Sequence, residues 1–295
     1  MVDKSDIPDA AFKLYDEFAH GLINRRQFLA GLGKLALGGL TVSAVFDALM
    51  PDYALAEQVS FNDPDIKASY RTFDSPQGYK TGRGYLVAPA SQPKSAPVVL
   101  VIHENRGLNP YIKDVARRLA KQGFIAFAPD GLYPLGGYPG NDDEGRTMQA
   151  SMDPGKLRND FFAAARFLKH VENGNGKLGV VGFCYGGGVT NRLAAELPEV
   201  VDAGVPFYGA APPLDEVSHI RAPLLLHFGE LDERINAQWP AYEAALKKYG
   251  KSYQAYVYPG AKHGFHNDST PRYDKASAEL AWQRTLAFFK THLSG

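Results

Sequence analysis

The chain has a single cysteine, no excess of either charge and no apolar run near 20 residues, and each lack closes off a class of protein. A lone cysteine has no partner for an internal disulfide and cannot furnish a Cys-rich zinc site, so Cys184 is either a small packed hydrophobe or a reactive thiol. With 32 basic against 32 acidic side chains and no dense Lys/Arg run, there is no electrostatic attraction for nucleic acid. The apolar stretch 35–46 falls short of the ~20 residues that a stable membrane span needs. No internal repeat or low-complexity linker divides the chain. What is present, 295 residues of which 45% are hydrophobic, suffices for one domain with a sizeable core.

Residues 1–56 differ in character from the rest. Asn24-Arg25-Arg26-Gln27-Phe28-Leu29 precedes the Gly-rich apolar stretch, and Ala54-Leu55-Ala56 follows it, an order that resembles a twin-arginine export signal with its cleavage site. Export would place a mature chain starting at Glu57 in the periplasm. The alternative is a cytoplasmic chain whose first 56 residues are a retained helical arm packed on the remainder. Lys34 and Asp47 interrupt or bound the apolar run, and both readings stand.

From residue 67 onward, short β-branched apolar runs alternate with amphipathic stretches, the pattern of a mostly parallel sheet covered by helices on both faces. Segments 70–73 and 84–87 read as a leading antiparallel pair. Strands are expected at 98–102, 124–128, 178–182, 201–207, 224–228 and 253–258, with helices at 111–121, 153–171, 186–196, 239–249 and 273–292. The Gly/Pro/Asp-rich segment 129–144 is long for a connector and is expected to form the rim of a site.

The chemistry concentrates at Gly182-Phe183-Cys184-Tyr185-Gly186-Gly187-Gly188, which places cysteine where a G-x-S-x-G hydrolase carries serine, between an apolar strand and a helix. Small residues flank such a nucleophile because its turn is too sharp for side chains there. A cysteine at a helix start faces unpaired N–H groups, which favour the thiolate. Hydrolases of the α/β fold follow the nucleophile with an acid and then a histidine, each on a loop after a strand. Asp232, after 224–228, and His263, after 253–258, fit; Glu230, Glu233 and His266 are rivals. The oxyanion formed on attack requires two backbone donors, expected from Tyr185 and Asn105. His103 and His227 read as satisfied core or loop groups. No cofactor is expected. His263 and His266 have metal-pair spacing but no carboxylate cluster beside them, so no metal is expected either.

Val101-Ile102-His103-Glu104-Asn105-Arg106-Gly107, Ala128-Pro129-Asp130-Gly131, Gly182-Phe183-Cys184-Tyr185-Gly186-Gly187 and His263-Gly264-Phe265 together resemble the dienelactone hydrolase family, from about residue 98 to the C-terminal helix. The resemblance implies an α/β-hydrolase fold, a Cys-Asp-His triad of Cys184, Asp232 and His263, and a Glu104 that contacts the Cys184 side chain and takes part in its activation. Read from its position alone, Glu104 at the end of a buried strand needs a partner, and Arg106 is the nearest cation in sequence. Family members that act on dienelactone clamp its carboxylate with arginines after the Ala-Pro-Asp strand and after the catalytic histidine. Here those stretches read Leu132-Tyr133-Pro134-Leu135 and Phe265-His266-Asn267, leaving Arg106 as a candidate substitute. The expected substrate is a small ester or lactone. A thioester or small peptide would suit the same machinery, and an oxidisable thiol in a redox or binding protein is the alternative of a different class.

Overall fold

A computed structural model of the protein describes residues 6–294 apart from 36, 38, 92 and 93; the first five residues and two positions of the expected export signal thus lie outside the described residues. The chain opens with three helices, α1 (Asp9–Ala19), α2 (Arg25–Leu32) and α3 (Val42–Leu49), and a single turn α4 (Tyr53–Ala56). Eight strands follow: β1 (Ile66–Ser75), β2 (Lys80–Pro89), β3 (Ala96–Ile102), β4 (Ile125–Pro129), β5 (Gly174–Phe183), β6 (Ala203–Phe207), β7 (Leu224–Gly229) and β8 (Tyr253–Tyr258). Between and after them run α5 (Pro110–Lys121), α6 (Asp142–Ser151), α7 (Pro154–Lys169), α8 (Tyr185–Glu196), α9 (Glu233–Asn236), α10 (Trp239–Lys248) and α11 (Lys275–Leu293).

The strands form one sheet in the order β1-β2-β4-β3-β5-β6-β7-β8. The β1–β2 and β2–β4 pairs are antiparallel and every other pair is parallel. Parallel strands need helical crossovers, and these bury both faces. Accordingly β4, β6 and β7 are buried at every position. One apolar layer packs α5 and α11 on one face, and a second packs α7 and part of α8 on the other. This is the expected α/β-hydrolase architecture.

One expectation about the flanking segments needs correction. Segment 129–144 is not one open loop: it holds a short turn at Tyr133–Leu135 and the start of α6, capped by the Asn141 side chain. It also packs toward the N-terminal helices, with Asp142 accepting from Tyr53 and Arg106, so it is not the rim of the site. The N-terminal segment folds: Phe12, Tyr15, Phe18, Phe28, Leu32, Val45, Phe46 and Leu49 form an apolar cluster of their own. The Arg-Arg motif lies in the first turn of α2, whose Asn24 and Gln27 make a reciprocal capping box. No helix among the described residues is long and apolar enough to cross a membrane.

Candidate active site

The carboxyl ends of β3, β5, β7 and β8 converge at one edge of the sheet, where open α/β sheets carry their sites. Cys184 follows β5 directly, with φ 55° and ψ −111°. A non-glycine residue in that conformation is strained and persists only where its surroundings hold it. Here its N–H is held by the carbonyl of Phe207 at 3.1 Å, and α8 begins at the next residue. The turn tolerates no side chains beside it: a Cβ on Gly182 would overlap the Gly186 carbonyl, and one on Gly186 would overlap that of Ile102.

Asp232 lies just beyond β7 and His263 just beyond β8. Their loops are tied together by Leu231 N–H donating to the Ala261 carbonyl at 2.9 Å. His263 Nδ1 donates to Asp232 Oδ2 at 2.5 Å, with both side chains almost fully buried. Cys184 Sγ lies on the other side of the ring, within 4.8 Å of its ligand nitrogen. The rivals are engaged elsewhere: Glu230 accepts from Gly260 N–H, Glu233 is exposed, and His266 bonds to the Tyr111 hydroxyl at 2.7 Å. Burial opposes charge at all three convergent groups. At His263 the negative charges of Asp232 and Cys184 overcome it and raise the imidazole from 6.5 to about 10. At Cys184 burial pushes the thiol up, but His263 and a second imidazole, His20, carry it well below its ordinary range. Burial raises Asp232 too, and His263 more than reverses it.

Glu104 is buried after β3 and accepts from Asn267 Nδ2 at 2.9 Å. Its burial raises the carboxyl, which the charge of Arg106 only partly offsets. Arg106 is not its salt-bridge partner: the guanidinium pairs with Asp142 at 2.7 Å and meets the Tyr15 hydroxyl at 3.4 Å. Nor does Arg106 line the cleft beside Cys184, so its expected role toward substrate is corrected. Tyr185 and Asn105 do line that cleft of about 450 Å³. Tyr185 is the first residue of α8, so its N–H has no acceptor within the helix. The Asn105 side chain donates to the Ala19 carbonyl at 2.8 Å. His103 and His227 are buried and hydrogen-bonded, His103 to Gly131 N–H and His227 to Tyr258 and Thr285.

The site also contains residues that sequence reasoning missed. His20, just after α1, places Nε2 3.4 Å from Cys184 Sγ and 3.2 Å from His263 Nε2. Its Nδ1 donates to the Asp16 carbonyl at 2.7 Å, while Asp16 pairs with Arg272 at 3.1 Å. Lys262 pairs with Asp9, and Arg146 donates to the Phe18 carbonyl, so α1 is fastened over the site at several points. The cleft is further lined by Arg158, Arg192 and Arg234, none of which lies in the two stretches where arginine was sought. Arg234 Nη2 reaches His20 Nε2 at 2.8 Å. No local motif marks these residues; the chance to find His20 lay in treating 1–56 as a folded arm.

Comparisons with known proteins agree with this fold. The dienelactone hydrolase family model matches residues 83–293, and a YqhI-like model matches 2–36, which include α1 and α2. The chain is 34% identical over 251 residues to a Saccharolobus solfataricus protein provisionally named a carboxymethylenebutenolidase, covering 70% of this chain and 93% of that one. It is 34% identical over 214 residues to a Bradyrhizobium protein provisionally named a 2-oxo-3-(5-oxofuran-2-ylidene)propanoate lactonase, covering 68% and 85%. A crystal structure from Klebsiella pneumoniae, provisionally described as a dienelactone hydrolase, superposes with TM-score 0.65 at 27% identity over 76% of this chain and 98% of that one. With the fold, the elbow and the family model in agreement over the same stretch, the chain belongs to the dienelactone hydrolase family and is a lactone or ester hydrolase.

Proposed function

We propose that the chain hydrolyses a small ester or lactone through an acyl-cysteine intermediate, with Cys184 as nucleophile, His263 as base and Asp232 as the acid that orients it. The observation that carries this reading is the 2.5 Å contact of His263 with Asp232 on one side of the ring and the Cys184 elbow on the other. The thiolate attacks the carbonyl carbon, and the oxyanion is met by the N–H groups of Tyr185 and Asn105. Collapse of the intermediate expels the alcohol or enolate oxygen, which takes its proton from His263. A water then gives a proton to His263 as it attacks acyl-Cys184, releasing the acid and the thiolate. Glu104 acts from behind this group as a buried carboxyl near the sulfur, held by Asn267. An anionic group on the substrate would meet Arg234 in the cleft, because Arg192 is already paired with Glu196.

The test uses an activated aryl acetate. Wild type is expected to release a burst of phenolate and to carry an acetyl group on the peptide containing Cys184, whereas Cys184→Ala and His263→Ala lose turnover. Hydrolysis retained by Cys184→Ala removes the nucleophile from this scheme. A protein that used Cys184 only as an oxidisable thiol would show neither burst nor acylation. A panel of esters, lactones and thioesters then ranks the substrates.

A further inference from the structure

We propose that Cys184, His20 and His263 form a three-ligand site for a thiophilic divalent cation of the Zn²⁺ class, with the fourth coordination position facing the cleft. The sulfur and the two Nε2 atoms lie within 4.8 Å of one another. A tetrahedral zinc ion with Zn–N of about 2.0–2.1 Å and Zn–S of about 2.3 Å requires ligand separations of roughly 3.3–3.6 Å. The structure has 3.2 Å between the two nitrogens and 3.4 Å between Cys184 Sγ and His20 Nε2. Those two edges suit a single small ion, and the third, between Cys184 Sγ and His263, is within 4.8 Å.

The second observation concerns the far sides of both rings. His263 Nδ1 is bonded to the Asp232 carboxylate, and His20 Nδ1 to the Asp16 carbonyl with the Asp16 carboxylate at 3.4 Å. Donation from Nδ1 to a carboxylate or carbonyl fixes the tautomer that leaves Nε2 as the ligand, and outer partners of this kind accompany metal-bound histidines. The 3.2 Å contact between the two Nε2 atoms is a hydrogen bond when one ring is protonated, and an entering ion displaces that proton. His20 and Cys184 both line the 450 Å³ cleft, so the open position faces water-accessible space. The one adverse group is Arg234, whose guanidinium competes for His20 Nε2 from the exposed end of the cleft.

Binding does not depend on the hydrolytic reading above. Its consequence does: an ion here holds the lone pairs of both proposed nucleophile and base, so it silences turnover until it is removed. The experiment is titration of metal-free, full-length protein with Co²⁺, read by thiolate-to-cobalt absorption, together with equilibrium dialysis against Zn²⁺. Wild type is expected to take up one ion per chain. Cys184→Ser should lose the sulfur band, His20→Ala should bind at least tenfold more weakly, and Arg234→Ala should bind severalfold more tightly. Each variant's thermal melt is compared with wild type; the exposed Arg234 position tests the site even if His20→Ala misfolds. Absence of the sulfur band in wild type, equal affinity in a folded His20→Ala, or unchanged affinity in Arg234→Ala overturns the proposal. Uptake of the ion with aryl ester turnover undiminished supports the site and instead overturns the roles given to Cys184 and His263 in hydrolysis.

Discussion

Replacing Asp232 with Asn removes one negative charge from behind His263 while keeping the side-chain oxygen that accepts from Ile235 N–H at the start of α9. His263 is raised from 6.5 to about 10 against the opposing effect of burial, and Asp232 leads the groups responsible, ahead of Cys184. At ~1.4 kcal/mol per tenfold change, that is a preference for imidazolium of roughly 5 kcal/mol. If Asp232 supplies about half, the variant loses roughly 2–3 kcal/mol, a factor of about 30–150 in the equilibrium constant for the thiolate–imidazolium pair. Loss of tautomer control adds to this, and triad acids replaced by amide have cost up to ~10⁴ in turnover. Alkylation of Cys184 by iodoacetamide as a function of pH measures the pair without any substrate. Wild type should alkylate at a nearly constant rate from neutral into acid pH. In Asp232→Asn the rise should move upward by about 1.5–2 pH units, and aryl ester turnover at pH 7 should fall by at least the smaller factor. A variant with the wild-type alkylation profile and undiminished turnover refutes the view that the Asp232 charge holds this pair.

Four other outcomes follow from contacts described above. In Cys184→Ser, where no thiolate titrates in the opposite sense, the stability that Asp232 gives the raised His263 should be full below about pH 6.5 and lost as pH rises through a His263 value short of the wild-type value of about 10, since the thiolate's share is gone; urea midpoints that stay flat above pH 6.5 contradict it. Gly186→Ala drives a Cβ into the Ile102 carbonyl and should cost ~1–3 kcal/mol or more in chemical denaturation, so a wild-type midpoint counts against the elbow geometry. Phe28→Ala empties the centre of the N-terminal cluster, where Phe28 stacks on Phe18 at 4.8 Å, at ~3–5 kcal/mol. Limited proteolysis should then cut within residues 6–50 first, and an arm as resistant as wild type rules this out. Asn267→Ala strips the Glu104 carboxyl of its amide donor, and a loss of ~1–3 kcal/mol is expected in the same denaturation assay, absent if water substitutes fully.

Strands β3 and β5 were legible because an unbroken apolar run of that length between turn residues fits a strand buried on both faces. The elbow was legible because its glycines answer a steric demand. Asp232 and His263 followed from their places after β7 and β8. Helix α6 was not legible: three acids in its first turn and Gly145 within it look like loop, and it forms through the Asn141 cap and packing against the arm. The partners of Glu104 and Arg106 also escaped, since Asn267 and Asp142 lie 163 and 36 positions away. His20 escaped for the same reason, its ring meeting His263 across 243 positions of chain. Arg158 and Arg192 stand on α7 and α8, and helical periodicity does not tell which cleft an exposed face will line.

The span from His20 to His263 sets a timetable for synthesis. Residues 7–50 carry their own apolar cluster and can collapse as soon as they emerge. The groups that fasten α1 over the site, Asn105, Arg146, Lys262 and Arg272, come much later. At ~5–20 residues per second, the 243 positions between the two histidines take roughly 12–50 s to make. Until then His20 lacks the ring that it meets in the finished site.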